Sequence, residues 1–231
     1  MKDNIIEDLM GKIVVSCQAL PEEPLHSSFI MGRMAVAAKE GGADGIRANS
    51  IDDIKEIKGK VNIPIIGIIK CDYKDSEVFI TPTKKELNDL INVGVDIIAM
   101  DATSNKRPNG ETLREQVNFV KEASPDTSLM ADISTTEEAY LAEKLGFDCI
   151  STTLVGYTKK TQGHSIVDDD FRLLSDLLNM SRLPIVAEGK ISSPSLAKRA
   201  LEKGAAFVVV GSAITRPQVL TRLFVNKLSE D

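Results

Sequence analysis

One motif recurs along the chain at a nearly constant interval. Glycine, any residue and aspartate, followed by a short apolar run, begins at Gly42, Gly94 and Gly146, and a weaker copy, GAAFVVVG, begins at Gly204. Segments of helical periodicity precede the copies, so each glycine is predicted to end a helix with a positive φ. The apolar run that follows is typical of a strand buried on both faces. Such a period indicates a repetitive architecture.

A second set of apolar runs lies between these copies. Two of them contain a proline near their start, Pro64 or Pro184, at a position where a strand can begin. The four runs span residues 13–18, 63–70, 128–134 and 183–190. Interleaving the two sets gives eight strands, each followed by a helical stretch.

Eight alternating βα units in 231 residues predict a (β/α)8 TIM barrel, an α/β fold, with residues 1–231 forming a single domain. The repeat then corresponds to two βα units, because alternate strands fill alternate interior layers. An open doubly wound sheet is the alternative. Against it, the first strand is not followed by the GxGxxG turn of a dinucleotide-binding fold.

Composition excludes several classes of protein. A hydrophobic content of 42% excludes wholesale disorder, and no apolar run reaches the roughly 18 residues of a membrane helix. The first residues do not resemble a signal peptide, so a cytoplasmic location is expected. A net charge of −6 argues against nucleic-acid binding. Three widely spaced cysteines and two histidines argue against a zinc site and a disulfide framework.

The predicted strands all end in polar or ionisable residues, which indicates a polar mouth on an apolar barrel. Active sites of TIM barrels lie at this end of the strands. In chain order the candidates are Ser16, Cys17, Gln18, Arg47, Asn49, Lys70, Cys71, Asp72, Asp101, Thr103, Asp132, Ser134, Ser151, Thr152, Thr153, Glu188, Gly189, Lys190, Gly211 and Ser212.

Lys70 is the first candidate for chemistry, because it closes the apolar run PIIGIIK. Partial burial there would lower its pKa, and a neutral lysine serves as a general base or forms a Schiff base. The alternative is a salt bridge, without chemistry, to Asp72, Asp101 or another acid at the barrel mouth. Glu188 closes PIVAE and is a candidate acid or base, a ligand of a substrate hydroxyl, or a partner of Lys70.

Arg47 offers a planar cation suited to an anion or a developing enolate oxygen. The alternative for this arginine is a structural ion pair with Asp44 or Asp72.

The last two strand ends predict a phosphate site. Glycine follows each strand directly, at Gly189 and Gly211, and loops after strands 7 and 8 often bind phosphate in TIM barrels. Ser212 to Ile214 are predicted to form a short extra helix before Pro217. Lys190 and Arg216 would add positive charge. Tight turns without a ligand are the alternative.

The loop after the sixth strand is the longest, and glycines at 156 and 163 bracket its polar part. It is interpreted either as a mobile lid or as a solvated loop.

These strand ends resemble those of the N-acetylmannosamine-6-phosphate 2-epimerases, bacterial phosphate-binding (β/α)8 barrels of sialic acid catabolism. The resemblance covers essentially the whole chain. The segments that carry it are SCQALPEEPLH at 16–26, GIRAN at 45–49, PIIGIIKCDY at 64–73, ITPT at 80–83, AMDAT at 99–103, MADIST at 130–135, GYT at 156–158, AEGKI at 187–191 and VVVGSAITRP at 208–217.

The resemblance implies an isomerase that interconverts N-acetylmannosamine 6-phosphate and N-acetylglucosamine 6-phosphate without a metal or organic cofactor. It assigns catalysis to Lys70 and Glu188. Substrate contacts are implied for Gln18, Arg47, Asp132 and Arg216, and phosphate contacts for Gly189, Lys190, Gly211 and Ser212. The expected partner is the small phosphosugar, with no nucleic acid and no membrane. A homodimer is compatible with the sequence, which does not fix the oligomeric state.

Two other functions stay open. One is another phosphosugar isomerase, epimerase or synthase on the same barrel. A ribulose-phosphate 3-epimerase would be expected to carry metal-binding histidines at strand ends, where this chain has none. The other is a non-catalytic barrel that senses a phosphosugar or binds RNA, against which the retention of Lys70 and Glu188 argues.

Overall fold

The architecture is a closed barrel of eight parallel strands, seen in a computed structural model that describes residues 5–229. Each strand pairs with its successor in the chain, and β8 closes the barrel against β1. This arrangement confirms the predicted TIM barrel and excludes the open sheet. The strands are Ile13–Cys17 (β1), Gly45–Asn49 (β2), Ile65–Ile68 (β3), Ile97–Asp101 (β4), Ser128–Asp132 (β5), Cys149–Ser151 (β6), Ile185–Glu188 (β7) and Val208–Val210 (β8).

A helix follows every strand. The short helix predicted before Pro217 is present, and it precedes a longer C-terminal helix. None of the helices within residues 5–229 is both long and apolar enough to span a membrane. The helices are Ile5–Asp8 (α1), Ser28–Glu40 (α2), Ile51–Lys58 (α3), Lys84–Val93 (α4), Leu113–Ala123 (α5), Thr136–Leu145 (α6), Asp168–Met180 (α7), Pro194–Lys203 (α8), Ser212–Thr215 (α9) and Pro217–Leu228 (α10).

The repeated glycines end helices as predicted. Gly42, Gly94, Gly146 and Gly204 all have positive φ, between 71° and 112°, a conformation that glycine adopts without a steric penalty. The chain leaves each helix at this point and enters β2, β4, β6 or β8.

The aspartate of the repeat binds backbone that precedes it in the chain. Asp96 accepts a hydrogen bond from the amide of Ile65 at 2.8 Å, and Asp148 accepts one from Leu129 at 2.7 Å. In these two copies the aspartate therefore fixes the first part of the neighbouring strand. The first copy differs, because Asp44 forms an exposed ion pair with Lys12 at 3.3 Å instead.

Apolar side chains fill the barrel as well as the layer between strands and helices. The interior cluster includes Ile66, Ile97, Met130 and Phe207, all fully buried. Ile6 and Leu9 belong to the same cluster, and Leu9 lies beside Gly45 at the start of β2. The N-terminal end of the barrel is thereby closed, which leaves the C-terminal ends of the strands as the open mouth.

Candidate active site

Lys70 lies directly beyond β3 at the barrel mouth. Its amide donates to Oδ1 of Asn49 at 2.7 Å, and its backbone forms an isolated antiparallel bridge with Ile80. Burial, together with the nearby cations Arg47 and Arg216, lowers the pKa of the Lys70 ammonium to about 8 against the opposing effect of Glu188 and Glu23. No salt bridge among residues 5–229 includes Lys70. The ion pairs with Asp72 or Asp101, named as the alternative for this lysine, are therefore not formed.

Arg47, Asp132 and Glu188 form a buried charge cluster, which we call the Arg47 cluster. Arg47 is 1% exposed and binds Asp132 through two hydrogen bonds, of 2.6 Å and 3.1 Å. The same guanidinium donates to Glu188 at 2.9 Å. The alternative partners considered for Arg47, Asp44 and Asp72, are wrong, since strand ends from β2, β5 and β7 meet at the mouth instead. Glu188 likewise pairs with Arg47 and not with Lys70.

Two hydroxyl groups at the C-terminal end of β6 complete this cluster. The Thr153 hydroxyl lies 2.7 Å from Oδ1 of Asp132 and 3.0 Å from Oε2 of Glu188. Ser151 lies 2.8 Å from the Thr153 hydroxyl and 3.3 Å from Glu188. The sequence marks both residues only as polar positions at a strand end. Their bridging role follows from the closeness of β5, β6 and β7.

Burial and charge act in opposite directions on this cluster. Burial raises the pKa of the Glu188 carboxyl even though Arg47 opposes the shift. Burial also works against the charge on Arg47, but Asp132 and Glu188 outweigh it and hold the pKa of that guanidinium above its usual value. Glu188 is thus a carboxyl with increased proton affinity beside a lysine with decreased proton affinity. Such opposed shifts are typical of acid–base sites.

The loop after β8, one of the two loops predicted to bind phosphate, packs against the end of β1. Gly211 precedes α9, and the carbonyl of Ser16 accepts a hydrogen bond from Thr215 at 2.9 Å. Arg216 donates to Ser212 at 2.9 Å and forms an ion pair with Glu23 at 2.5 Å. Although Arg216 follows the C-terminal end of the short helix, its guanidinium therefore reaches back to Ser212, beside Gly211 at the start of that helix.

The remaining two candidates of the phosphate region lie after β7. Gly189 has a φ of 103° and Lys190 a φ of 55°. The Lys190 side chain donates to the carbonyl of His164 at 2.8 Å, so it lies along the loop after β6. Gln18 is buried at the end of β1 and donates to Ser16 at 2.8 Å.

A second acidic position lies at the end of β4. Burial raises the pKa of Asp101 to about 6 despite hydrogen bonds from Thr103 and the nearby Arg107. Arg107 is buried and donates to the carbonyl of Asp101, while its Nη1 has no partner among residues 5–229. No sequence pattern marks Arg107, because its burial depends on how a loop folds back. Among the described residues, no group of three His, Cys, Asp or Glu side chains could hold a metal ion.

Comparison with known proteins places the chain in a family. Residues 31–230 match the family model described as "Putative N-acetylmannosamine-6-phosphate epimerase". Several bacterial relatives carry the name "Putative N-acetylmannosamine-6-phosphate 2-epimerase". The relative from Shouchella clausii is 57% identical over 97% of this chain and 98% of its own length. The relative from Oceanobacillus iheyensis is 54% identical over 96% of this chain and 100% of its own length.

Solved structures agree with these relatives. The chain is similar to the N-acetylmannosamine-6-phosphate 2-epimerase from Clostridium perfringens, with a TM-score of 0.93 and 50% identity over 98% of this chain and 97% of that one. Thiamine phosphate pyrophosphorylase from Pyrococcus furiosus shares the fold alone, with a TM-score of 0.61, 18% identity and coverage of 97% and 98% of the two chains. By its family match and its relatives, the chain belongs to the N-acetylmannosamine-6-phosphate epimerase family.

Proposed function

We propose that this protein is an isomerase that converts N-acetylmannosamine 6-phosphate into N-acetylglucosamine 6-phosphate. Membership in the family supports the reaction. One observation carries the proposal most directly: Lys70 has its pKa lowered to about 8 and lies beside Glu188 and Arg47, at the mouth of a barrel whose last loops begin with glycine.

The chemistry requires a base near C2. The C2 proton of a closed N-acetylhexosamine ring is not acidic, whereas opening the ring exposes an aldehyde at C1 that permits an enolate. Lys70 in its neutral form takes the C2 proton in this proposal. Because the pKa of Lys70 is lowered, a larger fraction of its amine is neutral near neutral pH.

The negative charge then develops on O1 of the substrate. Arg47 or Gln18 supplies the donor there, and preorganised donors contribute most where charge develops. Asp132 and Thr153 keep the Arg47 cluster in place. Glu188, with its increased proton affinity, assists ring opening or acts on the opposite face of C2. A single base with substrate assistance and a two-base scheme both fit this arrangement.

The 6-phosphate anchors the sugar at the loops after β7 and β8, across the mouth from Lys70. Gly189, Lys190, Gly211 and Ser212 bind it in this proposal, together with Arg216, and fixing the phosphate holds C2 against the base. No metal or organic cofactor takes part in the proposed proton transfers. The proposed setting is cytoplasmic sialic acid and aminosugar catabolism.

An exchange experiment tests the proposal. Purified protein is incubated with N-acetylmannosamine 6-phosphate in D2O, and the products are followed by NMR. The expected result is the 2-epimer carrying deuterium at C2, with a rate that a chelator does not change. The proposal would be wrong if the protein gave neither the epimer nor deuterium exchange but acted on a pentose phosphate in the presence of a divalent metal. The protein would then be another phosphosugar epimerase.

The anchoring role of the phosphate is tested with the dephosphorylated sugar. N-acetylmannosamine should lose most of the kcat/KM of its 6-phosphate. An equal kcat/KM for the two sugars would contradict the assigned phosphate loops.

A further inference from the structure

Glu23, in the loop after β1, binds the side chain of Arg216 through two hydrogen bonds. Arg216 Nε donates to Oε1 of Glu23 at 2.5 Å, and Nη2 donates to Oε2 at 2.8 Å. The side chain of Glu23 is 16% exposed and that of Arg216 is 25% exposed. Two bonds between one carboxylate and one guanidinium fix the orientation of the guanidinium as well as its distance. Glu23 therefore decides where the rest of the Arg216 side chain points.

The third nitrogen of this guanidinium faces a loop that is predicted to bind phosphate. Nη1 of Arg216 donates to the Ser212 hydroxyl at 2.9 Å. Ser212 is the first residue of α9, and Gly211 precedes it directly. A guanidinium has five N–H donors, and within residues 5–229 the two partners Glu23 and Ser212 take three of them. A phosphate oxygen beside Ser212 can accept a hydrogen bond from one of the other two.

Further hydrogen bonds hold the Glu23 carboxylate itself in place. The amide of Leu20, in the same loop, donates to Oε2 at 2.8 Å. Nε2 of Gln218, in the first turn of α10, donates to Oε1 at 3.1 Å. The hydrogen bond from Arg216 holds the pKa of the Glu23 carboxyl below its usual value, so the group is ionised at neutral pH. The acceptor of Arg216 is thus charged and fixed before any ligand binds.

A purely structural contact between the loop after β1 and α10 is the other explanation of these bonds. The short helix α9, however, is attached to β1 independently of Glu23, because the Thr215 hydroxyl donates to the carbonyl of Ser16 at 2.9 Å. Thr215 is buried, so this contact lies in the protein interior. The backbone of the loop after β8 is therefore held without Glu23, and what Glu23 adds is the orientation of the Arg216 guanidinium.

We propose that Glu23 is a positioning residue that orients Arg216 to bind the 6-phosphate of the substrate. The inference rests on the proposed function, because it requires a phosphosugar anchored at the loops after β7 and β8. An arginine side chain that is ordered before binding loses less conformational entropy when the ligand arrives. A carboxylate by itself repels a phosphate, so Glu23 favours binding only because the orientation of Arg216 outweighs that repulsion.

The test separates phosphate binding from the chemistry at C2. For each variant, deuterium exchange at C2 gives kcat/KM for N-acetylmannosamine 6-phosphate and for N-acetylmannosamine, which lacks the phosphate. The measured quantity is the ratio of the two values, because any effect of Glu23 on the proton affinity of Lys70 acts on both sugars and cancels. Glu23→Gln removes the charge and keeps the shape of the side chain. Glu22→Gln, at the exposed neighbouring position, is the matched control.

Glu23→Gln should lower the phosphorylated-to-unphosphorylated ratio about tenfold, as expected when one hydrogen bond to a charged group is weakened. Glu22→Gln should leave the ratio unchanged. Glu23→Asp keeps the charge but is shorter by one methylene, so it should give a smaller decrease. In a protein that already carries Arg216→Gln, the addition of Glu23→Gln should lower the ratio no further, because residues that act as one unit are not additive.

An unchanged or increased ratio in folded Glu23→Gln would overturn the positioning role, since repulsion of the phosphate would then be the main effect of Glu23. An equal decrease with and without the Arg216 side chain would overturn it as well, since the effect would not pass through the guanidinium. Thermal unfolding shows whether each variant is folded, and if Glu23→Gln is not, an unchanged ratio in Glu23→Asp contradicts the proposal. Absence of exchange on the phosphorylated sugar in the wild type would overturn the proposed function, and the positioning role with it.

Discussion

At the scale of single residues, burial gives the candidate site its chemical character. Lys70 and Glu188 are ordinary ionisable side chains whose proton affinities move in opposite directions because water is excluded around them. Arg47 stays charged in the same environment because two carboxylates surround it. The neighbouring residues of other strands therefore decide what each of these side chains can do.

Removal of the Lys70 amine should abolish C2 exchange while sugar-phosphate binding survives. Lys70→Ala lacks the proposed base, so kcat/KM should fall by about 10² to 10⁴. Deuterium incorporation measures the rate, and calorimetry with the epimer product measures binding. Lys74→Ala, an exposed lysine of the same loop, is the control. Near-normal exchange by Lys70→Ala would show that another group is the base.

The activity should increase with pH through the pKa of Lys70. Below a pKa of about 8 the lysine is protonated and cannot accept the C2 proton, and above it the neutral amine is available. The profile of kcat/KM, which reports groups of the free enzyme, should therefore be at half its maximum near pH 8 and level off at higher pH. A kcat/KM that falls between pH 7 and 9 would contradict a neutral lysine base.

Loss of the Asp132 carboxylate should destabilise the fold. Asp132→Asn leaves Arg47 buried with one charged partner, and removing half of a buried pair costs about 3 kcal/mol. Asp176→Asn, which breaks an exposed contact with Arg172 on α7, should cost less than about 1 kcal/mol. Urea unfolding gives both free energies, and equal values for the two variants would argue against a tightly held Arg47 cluster.

At the scale of elements, close packing between strands and helices positions the candidate catalytic side chains. β3 carries Gly67, where a Cβ atom would lie 2.7 Å from a methyl group of Val95 and 3.0 Å from Leu90. The chain then turns back, so that the amide of Thr81 reaches the carbonyl of Ile69 at 2.7 Å. This return holds Lys70 beside Ile80, where a free loop would leave its direction undefined.

A methyl group at position 67 should therefore cost stability. Gly67→Ala forces Val95 and Leu90 apart, and overpacking of a core costs about 1–3 kcal/mol. Gly59→Ala is the matched control, since its Cβ atom would meet nothing closer than 3.5 Å at a φ of −70°. Thermal unfolding of the two variants checks the difference. A Gly67→Ala protein as stable as Gly59→Ala would show that β3 tolerates a side chain there.

At the scale of the whole molecule, α10 differs from the other outer helices. Helices α2 to α8 each bury at least one side chain, whereas α10 buries none. Phe224 is 73% exposed and Leu228 is 86% exposed, and Val219, Leu223 and Val225 are exposed beside them. We propose that residues 1–231 form one domain. We also propose that the exposed apolar face of α10 packs against the same face of a second copy in a homodimer, because a twofold axis brings like surfaces together.

Light scattering after size exclusion tests the pairing. The wild type should elute as a dimer at micromolar concentration. Phe224→Glu places a charge on the paired surface and should give a monomer. Tyr140→Glu on α6, where the aromatic ring is also exposed, should leave the dimer intact. A monomeric wild type would contradict the proposed pairing.

Periodicity along the chain determines the fold of this protein. Alternating apolar runs and helical stretches, with glycine at the helix ends, define eight βα units, because each element must bury an apolar face and the chain reverses where glycine permits positive φ. The same order places Lys70, Glu188 and the two glycine loops at the ends of strands. All of these positions were therefore predictable from the sequence.

Only the tertiary structure decided which side chains meet. Asp132 lies 85 residues after Arg47 in the chain, and Glu188 lies 141 residues after it. No local pattern encodes their pairing, because it arises when closure of the barrel brings β2, β5 and β7 to a common centre. The burial of Arg107 depends likewise on how a loop folds over the mouth. Local periodicity fixes elements, whereas ion pairs and pKa values depend on distances that exist only in the folded barrel.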